Sequence, residues 1–195
     1  LQLDSKIISL RYYVRCVEEY NDLCDRIAEC CWNRLKSLNF RTSSGYYFPE
    51  IEQSLFAMIL SELFPKVHPH NVTAAPFITV PDVPVKNRNF RIPLRPNVWN
   101  YTGHYLLPGV VGSIKSDVSC IVQIGSNALQ LFIKEGPFKR YPTITHRYHI
   151  QKDEEIEIAS PFGGICYIIC DESVSVNISM NNFSMYPCFS YKKPD

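Results

Sequence analysis

A chain of 195 residues has room for one sizeable core or two small ones, and its 46% hydrophobic and 20% charged residues exclude a disordered or fibrous chain. The formal net charge of +1 argues against a nucleic-acid binder. No apolar run approaches the roughly 18 residues needed to cross a bilayer, so no membrane span is expected, and Leu1 follows neither a Met nor a signal-peptide pattern, which suggests a piece of a longer protein.

From Asp4 to about Leu38, Ile7, Leu10, Val14, Val17, Cys24, Ile27, Cys31 and Leu35 recur at three- and four-residue steps and predict an amphipathic helix. Asp4 or Ser5 is positioned to cap it, and the interruption at Asn21-Asp22 leaves one helix or two. Asn39 to Gly45 reads as a polar turn. Pro49 then opens a second helix that Pro65 ends, with Leu55, Met58, Ile59 and Leu63 toward its partner. Residues 1–65 are therefore expected to form a helical hairpin or connector.

After Pro65 the prolines at 69, 76, 81, 84, 93 and 96 exclude a continuing helix and describe an extended segment, with a linker and first edge strand over 66–85. In the stretch with Arg88, Phe90, Ile92 and Leu94 on one parity and Asn89, Arg91 and Arg95 on the other, basic and aromatic residues interleave as in single-strand nucleic-acid binders. A half-buried edge strand explains the alternation better. Short β-rich runs follow at Val110–Ile114, Cys120–Ile124, Leu129–Ile133, Thr143–Ile150, Glu155–Ala159, Ile165–Cys170 and Ser173–Met180. Their spacing predicts a mainly β fold, an antiparallel sandwich or barrel over 86–195 preceded by the α-helical part. Ile165–Cys170 is apolar throughout and belongs in the middle of a sheet.

Eight cysteines are too few for a disulfide scaffold. Cys16, Cys24 and Cys31 share a helical face as buried small hydrophobes, and Cys30-Cys31 and Cys166-x-x-x-Cys170 lack the knuckles of a zinc site. The sequons at Asn71, Asn100, Asn177 and Asn182 would matter in the secretory pathway, whereas the cysteines favour a reducing, cytoplasmic setting. GxSxG, P-loop, GxGxxG and HExxH patterns are absent. His68-Pro-His70 reads as solvated linker. His146 and His149, three apart in a strand, point to opposite faces. No metal, cofactor or catalytic residue is expected.

The stretch Trp99-Asn-Tyr-Thr-Gly-His-Tyr-Leu-Leu-Pro-Gly109 reads as a strand and turn in which Tyr105 and Leu107 share a face. Together with Val122-Gln-Ile-Gly125, Arg140-x-Pro142-x-Ile-Thr145, Pro161-Phe-Gly-Gly-Ile-Cys-Tyr167 and Pro187-x-Phe189, over about residues 76–190, it resembles the accessory β-sandwich that precedes the catalytic domain of enhancin-like zinc metallopeptidases, most closely in the TRP-channel-associated factors of animals. In those proteins the sandwich leads into an HExxH domain; no HExxH stands in these residues. The resemblance thus implies a non-catalytic module. One form binds a melastatin-type, cold-sensing TRP channel and regulates its activity and delivery to the cell surface, in the cytoplasm beside the plasma membrane. The alternative is a secreted, carbohydrate- or glycoprotein-targeting accessory domain of the peptidase. On either reading Trp99, Tyr101, Thr102 and His104 are the candidate partner surface, while Trp99, Tyr105, Phe162 and Tyr167 also qualify as large core side chains.

Overall fold

The structure, a computed structural model, describes residues 68–75, 78–127 and 144–185, together with 26, 30, 41–42, 45–46 and 65. The expected helical hairpin over 1–65 lies outside these residues except for Arg26, Cys30 and Pro65, which sit on helical backbone, and the pairs 41–42 and 45–46; Pro65, expected to end the second helix, is itself helical, and the expected strand at 129–133 and the Pro187-x-Phe189 motif lie outside the described residues. Contacts divide the chain into two units, Leu1–Val72 with Asn127–His146 and Thr73–Ser126 with Arg147–Asp195.

In the first unit β1 (Arg41–Thr42) and β2 (Gly45–Tyr46) form an antiparallel ribbon, Arg41 opposite Tyr46 and Thr42 opposite Gly45. Pro69–Asn71 make a 3-10 turn, with proline where a first turn tolerates its missing N–H. The Thr145 hydroxyl donates to the Asn127 carbonyl at 2.7 Å and accepts from the Asn127 N–H at 3.1 Å.

The second unit is built on β3 (Val85–Leu94), β4 (Asn100–Leu106), β5 (Gly112–Ser116), β6 (Cys120–Ile124), β7 (His146–Ile150), β8 (Glu155–Ile158), β9 (Gly164–Ile169) and β10 (Val174–Met185). They join one sheet in the order β7-β6-β9-β4-β10-β5-β8, and β3 also pairs with β10. The mainly β, antiparallel expectation is met. As its unbroken apolar run required, β9 lies inside the sheet, between β6 and β4. Glu155–Ile158, which alternates polar and apolar, is the edge strand β8.

Strand β10 bends the sheet over its own core. One of its edges carries β3 from Val174 to Ser184; the other carries β5 at Ile178–Asn181 and then β4 at Ser184–Met185. Between Met180 and Phe183 the register slips by one residue, and Asn182 takes φ 61°. This bulge reverses the inward parity: Val176, Ile178 and Met180 point inward before it and Phe183 after it. The core that results draws on most strands, with Leu94, Leu106, Ile114, Val122, Ile124, Ile150, Ile158, Ile168, Val176, Ile178, Met180 and Phe183 all buried in one cluster. Each such side chain contributes about 1.5–3 kcal/mol by leaving water.

On β3, Phe90, Ile92 and Leu94 pack inward or half-inward while Arg88 and Arg91 stay exposed, which matches the expected half-buried edge strand. Pro93 is accommodated there because, among the described residues, β3 pairs only with β10. His146 is buried and His149 exposed, on opposite faces of β7.

Candidate functional site

The stretch Trp99–His104 is the end of a loop and the body of β4, not an exposed loop throughout, and the alternation of the strand sorts its side chains. Trp99 and Tyr101 are each 39% exposed, whereas Thr102 and His104 are buried. Thr102 and His104 are therefore absent from the outer surface, and their work is to fix it.

Asn100 anchors the entry to the strand. Its side-chain amide donates to the carbonyls of Arg95 at 2.9 Å, Val98 at 3.2 Å and Ile168 at 3.2 Å, and its Oδ1 accepts from the Arg95 N–H at 2.9 Å. One buried side chain thus ties the 95–98 loop to β9, and this loop carries the adjacent Trp99. The same bonds commit the amide nitrogen of the Asn100 sequon, and the residue is only 8% exposed.

Between Tyr101 and Tyr105 the β4–β9 register shifts, and Gly103 takes φ 77° at the irregularity. The Thr102 hydroxyl repairs the broken ladder, donating to the Cys166 carbonyl at 2.8 Å and accepting from the His104 N–H at 3.3 Å. The imidazole of His104 stacks on Phe90, with centroids 4.8 Å apart and planes 15° apart, and its Nδ1 lies 2.8 Å from the Thr102 carbonyl. A donor is needed at Nδ1, so the neutral ring carries its proton there. Its Nε2 is buried with no hydrogen-bond partner among the described residues.

Burial pulls the His104 pKa below the ordinary value of about 6.5, the bond to the Thr102 carbonyl opposes this, and the charge of Arg88 pushes it lower still. Because the folded value lies below the unfolded one, the unfolded chain binds the proton first. Stability is complete above about pH 6.5 and falls as the pH drops from there through the folded value. Thermal melts from about pH 7.5 to 5 should show that loss, and His104→Phe, which keeps the stacking, should flatten it. Parallel curves for the two proteins would assign the titration to another group.

Outward, the paired strands assemble what the sequence keeps apart. Tyr101 lies directly opposite Tyr167 of β9, with ring centroids 6.2 Å apart, and Trp99 packs on the same Tyr167 at 5.5 Å and 48°. Three aromatic rings thus share one outer patch, two of them more than a third exposed. Tyr167 in turn opposes Gln123 of β6, whose Oε1 accepts from Nε of the exposed Arg147 at 2.9 Å. Tyr167, expected in the core, is half-buried and completes the patch; Tyr105 is likewise half-buried, and Phe162 is buried as expected. Rings held this way form a rigid, amphipathic contact surface.

No group of three or more His, Cys, Asp or Glu side chains among the described residues is arranged to hold a metal ion. No helix among them is long and apolar enough to cross a membrane.

A curled antiparallel sheet, nearly closed on itself and carrying an aromatic outer patch, places the chain in the class of mainly β modules. Residues 82–179 match the family described as the N-terminal domain of M60-like peptidases, and the chain belongs to that family. The part present is thus the N-terminal, accessory domain and not the catalytic one. Its fold is similar to that of the IMPa metallopeptidase from Pseudomonas aeruginosa, with a TM-score of 0.52 and 12% identity over 85% of this chain and 24% of that one. The IMPa metallopeptidase in complex with T-antigen gives 0.51 and 11% over 86% and 24%. The chain accordingly spans about a quarter of the length of these solved relatives. No curated protein matches it.

Proposed function

We propose that this domain directs an M60-like peptidase to glycoprotein substrates by binding carbohydrate on the Trp99–Tyr101–Tyr167 patch. The observation that carries the proposal is the clustering of these three rings on one outer face, with Trp99 and Tyr101 exposed. A pyranose presents a face of C–H groups that an aromatic π-face attracts, and tyrosine hydroxyls supply hydrogen bonds at the rim. Family membership supports the accessory role, and the similarity in fold to a metallopeptidase solved with T-antigen points to mucin-type sugars as the first ligands to try. Peptide-bond cleavage would then belong to another part of the full protein, and the setting would be secreted or at the cell surface.

The test is binding of O-glycopeptides and free T-antigen to the domain by calorimetry. Trp99→Ala with Tyr101→Ala should weaken binding about tenfold or more with an unchanged melting temperature. Undiminished affinity in the double variant would remove the patch from the interface, and a wild-type domain silent on a broad glycan array would overturn the carbohydrate reading.

The finer resemblance to TRP-channel-associated factors rests on the ordered sequence motifs alone. Under it the same patch meets cytoplasmic segments of a melastatin-type channel, in the cytoplasm. A pull-down with those segments, compared between the wild type and the double variant, separates the two readings.

A further inference from the structure

Away from the aromatic patch, the β6–β9 register continued one step past the end of β9 brings Cys120 and Cys170 to facing positions. The register runs Ile121 opposite Ile169, Val122 opposite Ile168, Gln123 opposite Tyr167 and Ile124 opposite Cys166. One further step sets Cys120 opposite Cys170. The Gly125 N–H donates to the Ile165 carbonyl at 2.9 Å, which makes that pair hydrogen-bonded. Alternation along the ladder then makes Cys120–Cys170 a non-hydrogen-bonded pair. The Cys170 carbonyl agrees, since it turns away from β6 and accepts from the Asn97 N–H at 2.7 Å. Such pairs have Cα atoms about 4.5 Å apart, and a disulfide spans Cα atoms roughly 4.4–6.8 Å apart.

Both cysteines are free. Both are buried, at 8% and 6% exposure, but each lines an open pocket of about 330 Å³ that is also bordered by Asn97, Ser119, His149 and Asp171. The Cys170 thiol donates to Oδ1 of Asp171 at 3.7 Å. Burial raises the Cys120 pKa, a bond to Ser116 opposes this, and the neighbouring Cys170 and Asp117 add to the rise. The third thiol of the sheet serves as an internal contrast. Cys166 has no exposed surface, and burial pushes its pKa up to about 12. With no surface open to an oxidant, it stays reduced in the folded domain.

We infer that Cys120 and Cys170 are a cross-strand dithiol that a small disulfide oxidant, entering through this pocket, closes to an intramolecular disulfide. One thiolate attacks the oxidant RSSR, forming a mixed disulfide and releasing RSH; the second thiolate attacks the protein sulfur of that mixed disulfide and releases another RSH. The two cysteine protons leave on the two released thiols, the pair is oxidised by two electrons and the oxidant is reduced by two. The bridge fixes β6 to β9 at the end of the strand that carries Tyr167, and it makes the domain responsive to the redox state of its compartment.

The chain is treated with glutathione disulfide under native conditions, alkylated, digested without reduction and analysed by mass spectrometry. The expected product is a peptide pair linked through Cys120 and Cys170, with loss of two free thiols and about 2 Da from the intact mass, while Cys166 stays reduced. Cys120→Ser and Cys170→Ser should each give a mixed disulfide with glutathione on the remaining thiol and no cross-link. Cys120→Ala and Cys170→Ala repeat the comparison should a serine variant fail to fold. Two alkylatable thiols at 120 and 170 after oxidation of the folded wild type, or a cross-link formed only in denaturant, would overturn the inference.

Discussion

Phe183→Ala is expected to destabilise the domain by about 3–5 kcal/mol, the range for emptying a fully buried phenylalanine site. Phe183 is 1% exposed and belongs to the central cluster. Its ring fills space that no other side chain can take. A β-carbon on Gly112 would lie 2.8 Å from Cε2 of Phe183 and 3.0 Å from Cδ1 of Leu106, so the ring occupies the volume that glycine leaves open. The position matters as much as the volume. Phe183 follows the bulge of β10, next to the residues that change partner from β5 to β4. A cavity there loosens the strand that bends the sheet, and the surrounding backbone, hydrogen-bonded on both edges, has little freedom to collapse into it. Chemical denaturation followed by circular dichroism measures the loss. Phe183→Leu should cost less than the alanine variant, since it retains part of the volume. A loss below about 1 kcal/mol for Phe183→Ala would mean that the site collapses freely and that β10 is not the rigid join described above.

The bulge also marks where the sequence stops being legible. Periodicity alone finds β6, β7, β8 and β9 to within a residue or a few, because their apolar spacing and flanking turns are local properties. It ends the last strand at Met180, whereas β10 runs to Met185. Asn181-Asn182 breaks the alternation and resembles a turn, and only pairing with β3 and β5 reveals a continuous strand with an inserted residue. In β4, by contrast, the register shift leaves the alternation unbroken. Asn100, Thr102, His104 and Leu106 are buried on one parity, Tyr101 and Tyr105 stand on the other, and Leu107, just past the strand, is buried as well. For the site, Trp99 and Tyr101 are visible as aromatic residues near a loop. Tyr167 is not, since an unbroken apolar run conceals which side chains face outward, and its place beside Tyr101 depends on a strand register that links residues 66 positions apart. The inward turn of Thr102 and His104 follows from their parity with Leu106, a signal present in the sequence.

The second large effect is expected at Gly163, where Gly163→Ala should destabilise by about 2–5 kcal/mol. Two causes combine. At φ 63° an L side chain incurs about 1–2 kcal/mol, and overpacking a filled site adds about 1–3 kcal/mol. A β-carbon at Gly163 would sit 2.6 Å from the Leu106 carbonyl oxygen, 2.8 Å from Cδ of Pro108 and 2.9 Å from its nitrogen. These are backbone and ring atoms, which cannot rotate away as a flexible side chain would. The neighbouring turns cannot shift freely either. The Ser160 carbonyl accepts from Gly109 N–H at 2.9 Å and from Gly163 N–H at 3.3 Å, and the Pro161 carbonyl accepts from Ala75 N–H at 2.7 Å. Moving the 159–163 turn to admit a methyl group would break bonds to both the 107–110 turn and the 73–75 segment. Gly163→Asn distinguishes the two causes, because asparagine tolerates positive φ but brings the same β-carbon. If contact dominates, the asparagine variant melts as early as the alanine variant; if asparagine restores most of the wild-type melting temperature, backbone conformation alone accounts for the glycine.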